Sequence, residues 1–382
     1  MPFYDNEPDS IHLELSELCN ADCPMCGRNR KGSKNPNLID ASLHLDSIKK
    51  IFPPYFVLRL KRIQLCGNFG DPLATNDLIP ILQYFRGLVP DVMLMIHTNA
   101  SLRSVTWWEE FGQLCSLPKD RVKFSIDGLR DTNHIYRRNT DFDTIIRNAK
   151  AFIKAGGRAD WEFLVFHHNE HQVDEARAMA TDMGFQQFWV KRTNRFFDYK
   201  TNKTSSSYEV LDKNGQVEYS LYPPDNAVYK NPATELDLIK ISQQNGGFQH
   251  YLDTTNISCK WKSKKSVYIS ARGHVYPCCW MAAEPFYNVG EMISHLDAQN
   301  QVQKLLLQAG GFDAIDARLH TIDEIIAGEF FRLVKESWQQ PSIAEGRLKL
   351  CAKWCGKGFD SNKETYMDEF GRASLVKDKT QI

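Results

Sequence analysis

The chain has 382 residues, ten of them cysteine, with 47 lysines and arginines against 47 aspartates and glutamates. A formal net charge of zero excludes a global field that would favour nucleic acid or an anionic membrane, and no run of about 18 apolar residues reads as a transmembrane helix. The polar, acidic opening MPFYDNEPDS lacks the pattern of a signal peptide, so the expected location is cytoplasmic, where ten cysteines point to metal or redox chemistry rather than to a disulfide framework.

From residue 11 to about 191, short β-like runs alternate with helical patterns. The expected strands are IHLEL (11–15), RIQLC (62–66), VMLMIHT (92–98), VKFSID (122–127), WEFLVF (161–166) and QFWVK (187–191). Between them, stretches such as NDLIPILQYFRGL and FDTIIRNAKAFIKAG repeat apolar residues at three- and four-residue spacing, as amphipathic helices do. The helix at 142–155 stops at Gly156 and Gly157. The aromatic stretch VTWWEEF (105–111) falls on such a helix and reads as a packing face. Strand–helix repetition implies a parallel α/β sheet with right-handed crossovers and function in the loops at the strands' C-terminal ends. An open doubly wound sheet and a partial barrel both satisfy it. Residues 196–254 break the pattern and read as a linker with a hairpin around Asn214-Gly215 and a helix over PATELDLIKISQQ. From 255 a cysteine-bearing module begins, with a hairpin at Arg272-Gly273 and helices over 300–340; the tail from about 360 is polar.

The loop after the first strand, ELCNADCPMCGR, places Cys19, Cys23 and Cys26 in a C-x3-C-x2-C spacing. A structural zinc site wants four protein ligands. Three thiolates on a four-iron cubane would leave one iron open, the mark of a chemical site. CNADCPMC resembles the cluster motif of the radical S-adenosylmethionine (radical SAM) superfamily. In that family the open iron chelates S-adenosylmethionine, one electron cleaves the sulfonium, and a 5′-deoxyadenosyl radical abstracts hydrogen from substrate. Further motifs come in the family's order. CGNFGDPL (66–73) resembles its Gly-Gly-Glu-Pro stretch, with Gly70, Asp71 and Pro72 matching the second half and Asp in place of Glu. HTNAS (97–101) resembles its Thr-Asn-Gly segment, with Ala100 for Gly after Asn99. SIDG (125–128), with HIYRR (134–138) behind it, is similar to the Ser-x-Asp-Gly and downstream arginine of peptide-modifying members. The resemblance implies that Gly70, Asp71, Pro72, Asn99, Ser125, Asp127 and Arg138 contact S-adenosylmethionine, with Arg138 preferred to Arg137 on spacing. An arginine fork suits a carboxylate.

A second cysteine set lies in the C-terminal part of the chain. Cys259 and Cys278 stand in a C-x13-G-x4-C arrangement through Gly273, and Cys351 and Cys355 come later. This resembles the opening of the auxiliary-cluster modules called SPASM and twitch, and implies one 4Fe–4S cluster on Cys259, Cys278, Cys351 and Cys355. A zinc site on the same four thiolates is the alternative. Cys279 is spare, Cys115 reads as core, and Cys66 reads as core beside the cofactor loop. The histidines of FHHNEHQ (166–172) read as polar loop and helix start, with Asn169 as cap and Glu170 suiting the helix dipole. Lys191, Arg192 and Arg195 at the sixth strand's end could attract an anionic substrate.

The resulting expectation is a partial (β/α)6 TIM-like barrel over residues 1–195, a linker over 196–254, and an α+β twitch-like domain over 255–382. Its implied cofactors are two 4Fe–4S clusters and S-adenosyl-L-methionine. The implied partners are a peptide or small-molecule substrate and a reductant such as flavodoxin or ferredoxin, with no membrane or nucleic acid. A peptide or protein side chain is the favoured substrate, a nucleotide or other small molecule the alternative. A non-catalytic iron–sulfur or zinc interaction protein is the rival of a different class.

Overall fold

Six strands run parallel, each paired with the next in chain order: β1 (Ser10–Leu13), β2 (Arg62–Leu65), β3 (Met93–Thr98), β4 (Arg121–Ser125), β5 (Ala159–Leu164) and β6 (Gln187–Lys191). They belong to a computed structural model that describes residues 2–30, 33–198, 203–231, 239–241, 243–244, 246–286, 300–358 and 365–367. Between consecutive strands lie α1 (Leu45–Ile51), α2 (Leu78–Leu88), α3 (Val105–Leu114), α4 (Phe142–Lys154) and α5 (Val173–Met183). Local signals set their ends. Ser104 accepts a hydrogen bond from Trp107 N–H to cap α3, Asp141 does the same from Thr144 N–H for α4, and Gly184 closes α5 at φ 88°. This is an α/β fold with a mostly parallel sheet, as a partial barrel requires.

Side chains of a strand point alternately to its two faces. On β1, Ile11 and Leu13 enter the apolar core, while His12 and, just past the strand's end, Glu14 are buried polar groups. The aromatic stretch of α3 is core: Trp108 lies 5.3 Å from Phe124 of β4 and 5.9 Å from Phe152 of α4, ring centre to ring centre. Each such buried side chain contributes about 1.5–3 kcal/mol, so these rings fix the helix layer against the sheet.

The sheet continues beyond β6 and β1 into later parts of the chain. A hairpin, β7 (Tyr208–Leu211) and β8 (Val217–Leu221), turns at Asn214-Gly215 with Gly215 at φ 78°. Next, β9 (Ser266–Ile269) pairs parallel with β1, in register Ser10 to Ser266 and Leu13 to Ile269, and β10 (Val275–Tyr276) pairs antiparallel with β9. Gly273, at φ 80°, makes the turn expected at Arg272-Gly273. On the far edge β11 (Tyr366–Met367) pairs antiparallel with β6. The last third of the chain thus supplies the neighbours of both β1 and β6 in one nine-stranded sheet. The helix expected over PATELDLIKISQQ and most of the polar tail lie largely outside the described residues. Among the described residues no helix is long and apolar enough to cross a membrane.

Candidate functional site

The three-cysteine loop leaves β1 and is held from several sides. Glu17 accepts Ile39 and Ala41 N–H on one carboxylate oxygen (3.0 and 3.2 Å) and Arg272 Nε on the other (2.6 Å). Arg28 donates back to the Glu17 carbonyl. Cys26 N–H donates to the Cys23 carbonyl at 3.1 Å, a turn that brings the second and third thiols round. Burial pushes the Cys19 thiol well up, and the nearby Asp71, Cys23 and Cys26 add to it. The three cysteines pack in one cluster, and binding a metal group would remove their protons.

The loop after β2 lies directly on this one. A Cβ on Gly70 would stand 1.8 Å from the Ser16 carbonyl oxygen, so only glycine allows the approach. Asp71 N–H donates to the Leu18 carbonyl at 2.9 Å. The Asp71 carboxylate accepts Leu73 N–H (2.9 Å), the Thr98 hydroxyl (3.0 Å) and Asn99 N–H (2.7 Å), clamping the β2 and β3 loops together. Burial raises the Asp71 pKa against these hydrogen bonds, which lower it. Pro72 opens the short turn Pro72–Ala74 that Asp71 caps. Asn99 Nδ2 then reaches the Cys19 sulfur at 3.4 Å and Asn20 Oδ1 at 3.0 Å. Ala100 sits at φ 60°, in the left-handed region that glycine takes without strain.

From the β4 side, Asp127 accepts Leu164 N–H at 2.7 Å and Arg137 Nε at 2.6 Å. Arg137 points its guanidinium at the Cys23 sulfur, 3.7 Å away. Burial and the neighbouring Cys26 thiol raise the Cys23 pKa to about 11, while Arg137 pulls the other way. Arg138, the arginine preferred on spacing, turns to Glu218 of β8 at 3.0 Å; its Nη1 is buried without a partner among the described residues. Ser125 ends β4 and is half-buried. The structure thus gathers Gly70, Asp71, Asn99, Asp127 and both arginines around the three thiols.

Several neighbours carried no motif. Behind the loops, Glu14 accepts Phe69 N–H (2.7 Å) and the Tyr268 hydroxyl (2.6 Å). Burial raises its pKa to about 7, against the lowering effect of Tyr268. Glu162 accepts Lys123 Nζ at 3.0 Å and the Tyr366 hydroxyl at 3.1 Å, with Lys191 at 3.5 Å. Burial alone would push Glu162 up; the two ammonium groups hold it well below the usual carboxylate range. A sequence signal existed: Lys123 and Glu162 are charges inside strands that otherwise read as buried. Lys191, Arg192 and Arg195 diverge, to Glu162, the Lys230 carbonyl and the Tyr136 hydroxyl. The expected linker packs its hairpin on the cysteine loop: Tyr208 donates to the Pro24 carbonyl (3.1 Å) and Tyr219 to the Ile135 carbonyl (2.8 Å). Asn169 turns its side chain back to Phe166 N–H and the Asp127 carbonyl instead of capping forward. Cys115 is core, as its place late in a helix implies.

The second set converges separately. Cys259, Cys278, Cys351 and Cys355 line one cavity, walled by Trp261, Trp280, Trp338 and Trp354. Cys351 and Cys355 are four apart on one helix, Lys349–Cys355, and so share a face. Ser258 N–H donates to the Cys355 carbonyl at 2.8 Å, bringing Cys259 alongside. A hydrogen bond with the Cys355 thiol, then burial, pushes the Cys259 thiol well up. Four thiols with apolar walls, Cys259 and Cys351 buried and Cys278 and Cys355 half-buried, suit either a 4Fe–4S cluster or zinc. Cys279 is not in that lining: its carbonyl accepts Asn68 Nδ2 at 2.9 Å, and burial, then the Cys66 thiol, pushes its own thiol up to about 12.

Three solved structures superpose partially on this chain: Streptococcus suis SuiB bound to S-adenosylmethionine (14% identity, 90% of this chain and 77% of that one, TM-score 0.46), anSMEcpe with bound AdoMet (15%, 91% and 86%, 0.48), and BtrN with AdoMet and 2-DOIA (12%, 91% and 93%, 0.38). No curated protein matches. Residues 13–180, the stretch that carries all three thiols and the loops folded over them, match the family model described as the Radical SAM superfamily.

Proposed function

We propose that this protein is a radical SAM enzyme that cleaves S-adenosyl-L-methionine reductively at Cys19, Cys23 and Cys26. The observation that carries the reading is the convergence of three thiols, and not four, with loops from β2, β3 and β4 closing on them. A 4Fe–4S cluster on these thiolates would supply the electron and an open iron. The chain's own part is positional. Asn99 and Arg137 direct N–H donors at the Cys19 and Cys23 sulfurs and so favour their thiolates. Asp71 fixes Asn99, and Asp127 fixes Arg137. Gly70, Asp71, Pro72, Asn99, Ser125, Asp127 and Arg138 are the proposed cofactor contacts, with the buried, open Nη1 of Arg138 suited to a carboxylate.

The four C-terminal thiols are proposed to hold one auxiliary 4Fe–4S cluster in a twitch-like module. Support comes from the C-x13-G-x4-C spacing and the convergence of those residues in one cavity. The same resemblance supports a peptide or protein side chain as substrate, a flavodoxin or ferredoxin as reductant, and a cytoplasmic location.

The test is iron and acid-labile sulfide per chain after anaerobic reconstitution, with 5′-deoxyadenosine assayed alongside. Wild type should hold about eight irons, and Cys19→Ala/Cys23→Ala/Cys26→Ala about four with cleavage abolished. A wild type with about four irons and a variant with none would make the C-terminal site zinc or structural. Absence of iron, or cleavage by the variant, would overturn the reading and leave a non-catalytic protein.

A further inference from the structure

Four of the chain's eleven histidines gather beside the loop that follows β5, where His134, His167 and His171 all act electrostatically on His168. One of them, His167, meets two carboxylates there. Its Nδ1 stands 3.1 Å from Asp225 Oδ2 and 3.9 Å from Glu170 Oε1. One donor atom from each of the three side chains lies within 4.8 Å of the other two. The two chain segments are held together by bonds that leave the imidazole free to act as a ligand. His167 N–H donates to the Tyr222 carbonyl at 3.1 Å, and Glu170 accepts Asp225 N–H at 3.2 Å and Asn226 N–H at 2.9 Å. A carboxylate has about four lone-pair sites, so Glu170 keeps acceptor capacity toward His167. Glu170 is half-buried, while His167 and Asp225 are exposed and within reach of a dissolved ion. A protonated imidazole would answer one of these carboxylates; a divalent ion answers both.

We propose that His167, Glu170 and Asp225 bind a divalent transition-metal ion such as zinc, with solvent in its remaining position. A tetrahedral ion with bonds of about 2.0–2.2 Å separates its ligand atoms by roughly 3.3–3.6 Å. The 3.1 and 3.9 Å separations straddle that range, so small side-chain rotations complete the site. The imidazole nitrogen selects the class of ion. Calcium and magnesium take oxygen donors, whereas zinc, nickel and copper accept imidazole beside carboxylate. The ion would join the β5 loop to the segment that leaves β8. It would thereby fasten the hairpin β7–β8, which packs on the cysteine loop through Tyr208. The site stands apart from both thiol sets and does not depend on what they hold.

The experiment equilibrates the full-length protein, its thiols loaded by anaerobic reconstitution, with zinc sulfate. Unbound metal is removed by desalting, and zinc and iron are counted per chain. Wild type should hold one zinc more than His167→Ala/Asp225→Asn, with equal iron in both; the two changed side chains are exposed. Zinc held by any unloaded thiol is common to both proteins and cancels in the difference. With cobalt in place of zinc, the difference spectrum between the two proteins should show d–d absorption without a sulfur-to-cobalt charge-transfer band. His44→Ala/Asp77→Asn breaks an imidazole–carboxylate pair at 3.3 Å that belongs to no such triad among the described residues, and it should hold zinc as wild type does. Equal zinc in wild type and the first variant would overturn the proposal. So would an equal loss in the second variant, or a difference spectrum with sulfur character. Should the first variant lose iron, Asp225→Asn alone replaces it. Its zinc affinity should fall at least about tenfold, and an unchanged affinity would overturn the proposal.

Discussion

Ala100 shows how one backbone conformation records a functional loop. At φ 60° it occupies a region that costs an L-residue about 1–2 kcal/mol, yet its carbonyl is held by Asn148 Nδ2 at 2.9 Å and its N–H by the Thr98 hydroxyl. Ala100→Gly should therefore stabilise the protein by roughly 0.5–1 kcal/mol, read as a higher midpoint in urea. Asp71 works in the opposite sense. Asp71→Ala would strand the buried Asn99 and Leu73 N–H groups and should cost about 1–3 kcal/mol, with Cys19 losing its Asn99 contact as Asn99 drifts. The arginines separate by geometry. Arg137→Gln removes the donor on the Cys23 sulfur and should lower iron retention on the three-cysteine loop, whereas Arg138→Gln should leave it intact; iron counts in a Cys259→Ala/Cys278→Ala background read that site alone.

At the scale of elements, the end of β1 ties the β2 loop to the C-terminal part of the sheet. Glu14 joins that loop to β9 through Phe69 and Tyr268, and its carboxyl titrates at about 7 against an ordinary value of 4.5. A raised pKa means that the folded state keeps the proton longer than the unfolded chain. The stability linked to that proton is complete below about 4.5 and is lost as pH rises through about 7. Glu14→Gln, which mimics the protonated form, should remove this decline. The gap between variant and wild type should open by an amount on the order of 3 kcal/mol between pH 4.5 and 8, measured by urea unfolding at several pH values. Equal slopes would show that Glu14 does not carry the effect. The hairpin β7–β8 covers the cysteine loop by the Tyr208 hydroxyl on Pro24 and apolar contacts around Cys23, and is held beside it by the Tyr219 hydroxyl on Ile135. Tyr208→Phe/Tyr219→Phe should hasten the loss of iron from that loop in air while leaving the C-terminal thiols' iron unchanged.

For the whole molecule, the continuity of the sheet has a direct consequence. The edges of the six-stranded parallel unit are paired by β9 and β11, both from the last third of the chain, and the Arg272–Glu17 ion pair at 2.6 Å ties that third to the cysteine loop. A chain ending at residue 254 would expose the edges of β1 and β6 and strip Tyr4 of its bond to the Ser266 carbonyl. It should be aggregation-prone and bind a hydrophobic dye, even though it retains the whole segment matched to the superfamily.

Periodicity and short motifs determined much of this by themselves. The six strands lie within a few residues of where alternation places them, because each is a local run bounded by its own turn or cap. The three thiols converge because eight residues of one loop hold them. Only the tertiary structure decided the contacts between segments far apart in the chain. The parallel pairing of β9 with β1 leaves no local signature, since its register is set by a partner more than 200 residues away. The choice between Arg137 and Arg138 depends on which way a short helix turns against Asp127 and Glu218. That Cys278 and not Cys279 lines the four-thiol cavity is set by the start of a helix that Asn68 anchors through the Cys279 carbonyl. A sequence fixes local geometry through steric and hydrogen-bonding preferences of neighbours; buried charges such as Glu14 and Glu162 acquire their partners only when distant strands close around them.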